Sequence, residues 1–190
     1  MKPLLALAAI ALLAAGCGAT KTVTVTTTRT VTHTVTAAPA TTTTAAQAAA
    51  CTGGDLSASF DVQPDSAGAG QITYTLKLTN STSSPCFVSG IPDLQLLDKN
   101  GNPLPTHQSA QPGTQTAVRV VLQPGGSATS DARFSPDVPG VGEQQPGQCE
   151  STSYTLRVTP SGGGTVDAPI SPPTPVCEKG SFRFSNLSAA

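Results

Sequence analysis

From Ile72 to Thr79 the chain alternates without a break: Ile72, Tyr74, Leu76 and Leu78 on one side, Thr73, Thr75, Lys77 and Thr79 on the other. A period of two makes a strand with one apolar and one polar face, and the apolar face must be covered by a second layer. The pattern recurs at Leu56, Ala58, Phe60 and Val62, at Val118, Val120 and Leu122, and at Ala128, Ala132 and Phe134. It returns at Tyr154, Leu156 and Val158, and again at Phe182 and Phe184. Turn chemistry separates the runs: Gly68-Ala69-Gly70, Asn100-Gly101, Pro124-Gly125-Gly126 and Ser161-Gly162-Gly163-Gly164. The expected fold class is all-β, an immunoglobulin-like β-sandwich of about seven to nine antiparallel strands, disulfide-stapled, over residues 51–190. Trp is absent and aromatics make up 4% of the chain, so the core must rest on Leu, Val, Ile and five Phe. Crosslinks matter in such a core.

Residues 1–16 read as a lipoprotein signal peptide. Lys2 precedes an apolar run from Leu4 to Leu13, and Ala14-Ala15-Gly16 stands directly before Cys17. The run is shorter than the roughly 20 residues that a bilayer core demands. Its ending resembles the lipobox of bacterial lipoproteins, with Ala14 where Leu is commonest, and this makes Cys17 the expected lipid anchor. Two or more acyl chains are needed for lasting attachment. Residues 17–50 then form the lipidated cysteine and a Thr/Ala-rich linker, expected to be disordered or extended because its Val-Thr alternation lacks large apolar residues. Its 33 residues after Cys17 reach about 110 Å at most. The same hydroxyl-rich composition suits O-glycosylation or a bare spacer equally.

Charge excludes one class of partner. Residues after Cys51 carry seven Lys and Arg against eleven Asp and Glu, a net of −4, which is no footprint for nucleic acid. With Cys17 assigned to lipid, Cys51, Cys86, Cys149 and Cys177 remain, in a compartment where disulfides persist. Four cysteines allow three pairings. The sequence does not decide among them, and chain order favours Cys51 with Cys86 and Cys149 with Cys177, each closing a loop of roughly 30 residues. A metal site is disfavoured, because no Cys-x-x-Cys spacing occurs and the domain holds one His.

Several spaced blocks carry a resemblance. They are Leu78-Thr79-Asn80-Ser81 followed by Pro85-Cys86, Gly90-Ile91-Pro92, Leu96-Leu97-Asp98-Lys99-Asn100-Gly101, and Val121-Leu122-Gln123-Pro124-Gly125-Gly126-Ser127-Ala128. With Cys51, Cys149, the strand from Tyr154 to Pro160, and Val176-Cys177, the domain resembles the domain of unknown function 4232 family. That resemblance implies an actinobacterial secreted protein or lipoprotein behind a Thr- or Ala-rich linker, and it implies no activity. Ile91 stands where Tyr is frequent in the family, and Phe134 where Trp is common.

Constellations for chemistry are sparse. His33 lies in the linker, and His107 is expected in a turn-rich loop, where a solvated role is preferred to a Ser-His-Asp set. Asp98-Lys99-Asn100-Gly101-Asn102 spaces oxygens as a calcium loop does, but Gly101 falls at position four rather than six, and a type I′ hairpin turn accounts for the same residues. Asp61 with Asp65 and Glu143 with Glu150 are the acid pairs that glycoside hydrolysis would need, but on loops or polar strand faces solvated charge is the preferred reading. Asn80 opens a sequon yet is expected to support the turn before Cys86.

The expected function is therefore a monomeric cell-envelope lipoprotein on the outer face of the membrane. It displays a non-catalytic binding domain for an envelope protein or wall polymer, with no cofactor, no catalytic residue, no metal and no nucleic acid. The long connections, residues 103–115 and 136–150, are the candidate binding loops. A cell-wall or glycan hydrolase and an accessory subunit of a membrane complex are the alternatives.

Overall fold

The structure, a computed structural model, describes residues 48–114, 116–143 and 149–190. Cys17, His33, the signal segment and nearly all of the linker lie outside the described residues. Within the unit Thr41–Ala190 the described residues form a β-sandwich-like fold of two sheets.

Its strands are β1 (Ala49–Ala50), β2 (Leu56–Val62), β3 (Ile72–Asn80), β4 (Cys86–Ser89), β5 (Asp93–Leu97) and β6 (His107–Ala110). They continue with β7 (Arg119–Leu122), β8 (Ser127–Phe134), β9 (Ser153–Thr159), β10 (Val166–Thr174), β11 (Ser181–Phe184) and β12 (Ser188–Ala189). The larger sheet runs β5-β9-β10-β2-β3-β8-β11-β6, with β12 also on β8, and the smaller runs β1-β4-β7. Twelve strands among the described residues exceed the seven to nine expected, partly because β1 and β12 are two residues long.

Pairing is antiparallel in most places, but β1 with β4, β10 with β2, and β11 with β6 are parallel. That corrects the wholly antiparallel expectation. β10 accounts for one exception: it pairs antiparallel with β9 at Val166 to Pro169 and parallel with β2 at Ile170 and Ser171. Its Pro169, Pro172 and Pro173 cannot donate to a ladder, so pairing is irregular on this strand.

The alternation seen in the sequence is realised on the core side. Phe60, Tyr74, Phe134, Phe182 and Phe184 are all buried on β2, β3, β8 and β11. Successive ring centroids lie 5.1 Å (Phe60 to Tyr74), 5.3 Å (Tyr74 to Phe134) and 5.2 Å (Phe134 to Phe182) apart. Each such pair adds about 0.5–1.5 kcal/mol beyond area burial. Tyr74 keeps its hydroxyl satisfied inside the core by donating to the Pro172 carbonyl at 2.8 Å.

Two apolar residues depart from the expected face. Val118 is 60% exposed, because β7 begins only at Arg119, and Tyr154 is 41% exposed, because the β9–β10 register shifts there. Cys86 opens a strand rather than a loop. Two disulfides staple the fold, Cys51 with Cys86 across 35 residues and Cys149 with Cys177 across 28.

The turn after β5 is not of type I′. Of Asn100 and Gly101 only Gly101 has positive φ, at 81°. Asp98 organises this turn: its Oδ1 accepts from the backbone N–H of Asn100 and of Asn102, both at 2.8 Å, and Oδ2 from the Asn102 amide at 2.9 Å. Bonding first to Asn102 and then to Asn100 holds the Asp98 carboxyl below its ordinary value. Both Asp98 oxygens, which a calcium reading needed, are thus engaged in the turn.

Candidate functional site

The residues with chemistry converge where β8, β11 and β6 lie side by side. Burial alternates along β8 and β11, so Phe134, Phe182 and Phe184 point inward while Arg133 and Arg183 stand exposed on the outer face. The register makes Arg183 the direct cross-strand partner of Arg133. On the other side of β11, Ser181 pairs with His107 and Arg183 with Ser109. His107 is therefore on an edge strand, not in the turn-rich loop expected; β6 has no large apolar residue to mark it, and all four of its residues are exposed.

These side chains line an open cleft of about 250 Å³, together with Gln71 and Glu178. Gln71 precedes β3, and its Oε1 accepts from Arg133 Nε at 3.3 Å. Ser109 Oγ donates to the Phe182 carbonyl at 3.1 Å and Ser181 Oγ to the Glu178 carbonyl at 2.6 Å, so both hydroxyl oxygens keep lone pairs able to accept.

One wall of the cleft follows from an unusual turn. Glu178, Lys179 and Gly180 all have positive φ, 56°, 58° and 75°, so Cys177–Gly180 is a left-handed turn and not an ordinary helix. Non-glycine residues there cost roughly 1–2 kcal/mol each, and the surroundings must impose them. Three contacts do so. Cys177 is tied to Cys149. Gly180 lies against the strand entry at Pro105, where a Cβ would meet the Pro105 oxygen at 1.8 Å. Glu143 accepts from the backbone N–H of Gly140 at 2.6 Å, of Glu178 at 2.9 Å and of Lys179.

Glu143 is thereby a structural clamp between its own loop and the turn. Burial pushes its carboxyl up, but the three backbone N–H groups outweigh it and hold the group below its ordinary value. Burial and then the neighbouring Glu143 charge push Glu150 up. The structure therefore makes Glu143 and Glu150 electrostatic neighbours. It does so with one of the two carboxylates already committed to backbone donors.

Other sequence candidates are scaffold. Asn80 is buried: its amide donates to the Ser84 carbonyl at 2.8 Å and the Leu122 carbonyl at 3.1 Å, and its oxygen accepts from Thr82. Asp61 and Asp65 sit at the far end of β2 and in the turn after it. Cys51 and Cys86 join the two ends of the segment containing β2 and β3.

Arg133 and Arg183 were not apparent as a pair from the sequence. Each occupies the polar place between buried residues, in Ala132-Arg133-Phe134 and Phe182-Arg183-Phe184, and only the register unites them.

The family described as domain of unknown function DUF4232 matches residues 51–188, most of the chain, and the chain belongs to that family. No curated protein and no solved structure matches it.

Proposed function

We propose that this member of the DUF4232 family is a cell-envelope lipoprotein displaying a non-catalytic binding domain. Lipid on Cys17 holds it to the outer face of the cell membrane, and the Thr-rich segment after it lifts the domain from the surface. The observation that supports binding is the cleft itself: an open, polar concavity built on the rigid strands β8, β11 and β6, gathering side chains far apart in sequence.

The anchor is tested by comparing wild type with Cys17→Ser in cells. Wild type partitions with membranes and carries the added mass of acyl chains; the variant is released and lacks that mass. Equal membrane association and equal mass would remove the anchor from this account.

A second reading, hydrolysis of a wall glycan by paired carboxylates, takes the coupled acids Glu143 and Glu150 as its pair. On that reading Glu143→Gln or Glu150→Gln abolishes turnover of wall fragments by the full chain. Binding of those fragments without turnover by wild type supports the first reading.

A further inference from the structure

Arg133 and Arg183 face one another across β8 and β11, both exposed. Directly opposed residues in an antiparallel pair have Cβ atoms about 5 Å apart, and like charges there destabilise the pairing. Neither forms an ion pair among the described residues, where the one ion pair is Arg157 with Asp167. Asp131, two residues before Arg133 on the same face, instead accepts at Oδ1 from the Thr75 hydroxyl at 2.9 Å and the Gln63 amide at 2.7 Å. Glu178 is the one carboxylate among the lining residues, against two guanidiniums. This concentration of cation runs against a domain whose net charge is −4 from seven Lys and Arg and eleven Asp and Glu.

We propose that Arg133 and Arg183 bind a phosphate ester carried on a polyol or sugar, an inference that rests on the domain being a binding module. Two guanidinium forks offer more donors than one carboxylate accepts, whereas a phosphate presents oxygens to both forks at once. Gln71 holds the Arg133 plane through Nε and leaves its terminal nitrogens for the ligand. Arg183 makes no side-chain hydrogen bond among the described residues. His107 lines the same cleft and adds a ring N–H, and Ser109 and Ser181 accept from the hydroxyls of the polyol. At about 250 Å³ the space holds one phosphate with a glycerol- or sugar-sized substituent, and its open side lets a longer chain continue outward.

The test uses the full chain carrying Cys17→Ser at constant ionic strength, observing the arginine Nε–Hε resonances by NMR. Glycerol 3-phosphate should shift Arg133 and Arg183 saturably, and acetate should not. Arg133→Gln and Arg183→Gln should each weaken binding by about tenfold or more, as loss of a charge-assisted contact implies. A merely structural arginine would behave differently in thermal unfolding. Without ligand Arg183→Gln should be at least as stable as the parent chain, since it removes a like charge, and glycerol 3-phosphate should raise the melting temperature of the parent only.

Monomeric dihexanoyl phosphatidylglycerol separates the two sources of this chemistry. Tighter binding of it than of glycerol 3-phosphate identifies a lipid headgroup, the reverse a free or polymer-borne polyol phosphate, and either supports the site. Equal response to acetate, unsaturable shifts, or full binding by either Gln variant overturns it. Sedimentation of the same chains with isolated envelope then separates the two levels of the account. Retention unaffected by both Gln substitutions sinks the phosphate site alone, and no retention of any chain sinks the binding module with it.

Discussion

Asn80→Ala should be the most informative single change to the scaffold. Asn80 ends β3 with its side chain 1% exposed, and it ties three segments: its own strand, the Thr82 to Ser84 loop leading to Cys86, and the end of β7 at Leu122. Alanine deletes two donated bonds and the acceptor for Thr82, and it leaves the buried Leu122 carbonyl without its side-chain donor. Thr82 and Ser84 can turn to water, so the loss concentrates at Leu122 and in the ordering of the loop. At about 1 kcal/mol net per bond and 1–3 kcal/mol for an orphaned buried group, the cost is about 2–4 kcal/mol.

In a domain of this size that lowers the melting temperature by roughly 10 °C. Urea unfolding at pH 7, with an unchanged slope, is the assay. Asn80→Asp adds a sign. A carboxylate facing the Ser84 and Leu122 carbonyls has its folded-state pKa raised above the unfolded value. Its penalty is therefore full above the folded pKa and shrinks as pH falls through it, when the protonated acid can donate again. A loss below about 0.5 kcal/mol for Asn80→Ala, within the ordinary range of surface substitutions, would refute the reasoning. So would a pH-independent deficit for Asn80→Asp.

Three other changes probe the scaffold and the support of the cleft. Glu143 has a lowered folded pKa, so its contribution is fully present above about pH 4.5 and is lost as pH falls through the lower, folded value. Amide exchange at Glu178 and Lys179, corrected for intrinsic rates, should accelerate over that acid range in wild type and show no such pH step in Glu143→Gln. Replacing Cys51 and Cys86 by Ala opens a loop of 35 residues and should cost about 4 kcal/mol in denaturant unfolding, on the chain-entropy account. Gly180→Ala places a Cβ on the Pro105 backbone at positive φ; it should lower the melting temperature and weaken protection in β6 before the rest of the sheet.

The strands that bury one clean face were legible in the sequence. β2, β3, β8 and β11 follow their alternation residue by residue, because a period of two has one physical solution against a core. β10 was hidden by Pro169, Pro172 and Pro173, which argue against a strand unless its ladder is broken, as it is here. β6 was hidden for the opposite reason: His107-Gln108-Ser109-Ala110 buries nothing, and backbone pairing to β11 alone makes it a strand. Asn100-Gly101 marked a turn but not its type, since Gly101 alone takes positive φ and backbone bonds of Asp98 to Gly101 and Asn102, braced by the Asp98 side chain, close it. The candidate site was least legible. His107, Glu143 and Glu150 were visible as chemistry-bearing residues, but their neighbours were not. Arg133 and Arg183 are fifty positions apart, and strand register alone sets them opposite one another.

The surface by which the chain touches its envelope ligand should be the cleft on β8, β11 and β6. Hydroxyl-radical footprinting of the full chain carrying Cys17→Ser, free and bound to isolated envelope, reads that surface. Protection should centre on His107 to Ser109, Arg133 and Ser181 to Arg183. Protection confined to the β5 edge or to the β4–β7 sheet, with the cleft as reactive as in the free chain, would rule out the cleft as the binding surface.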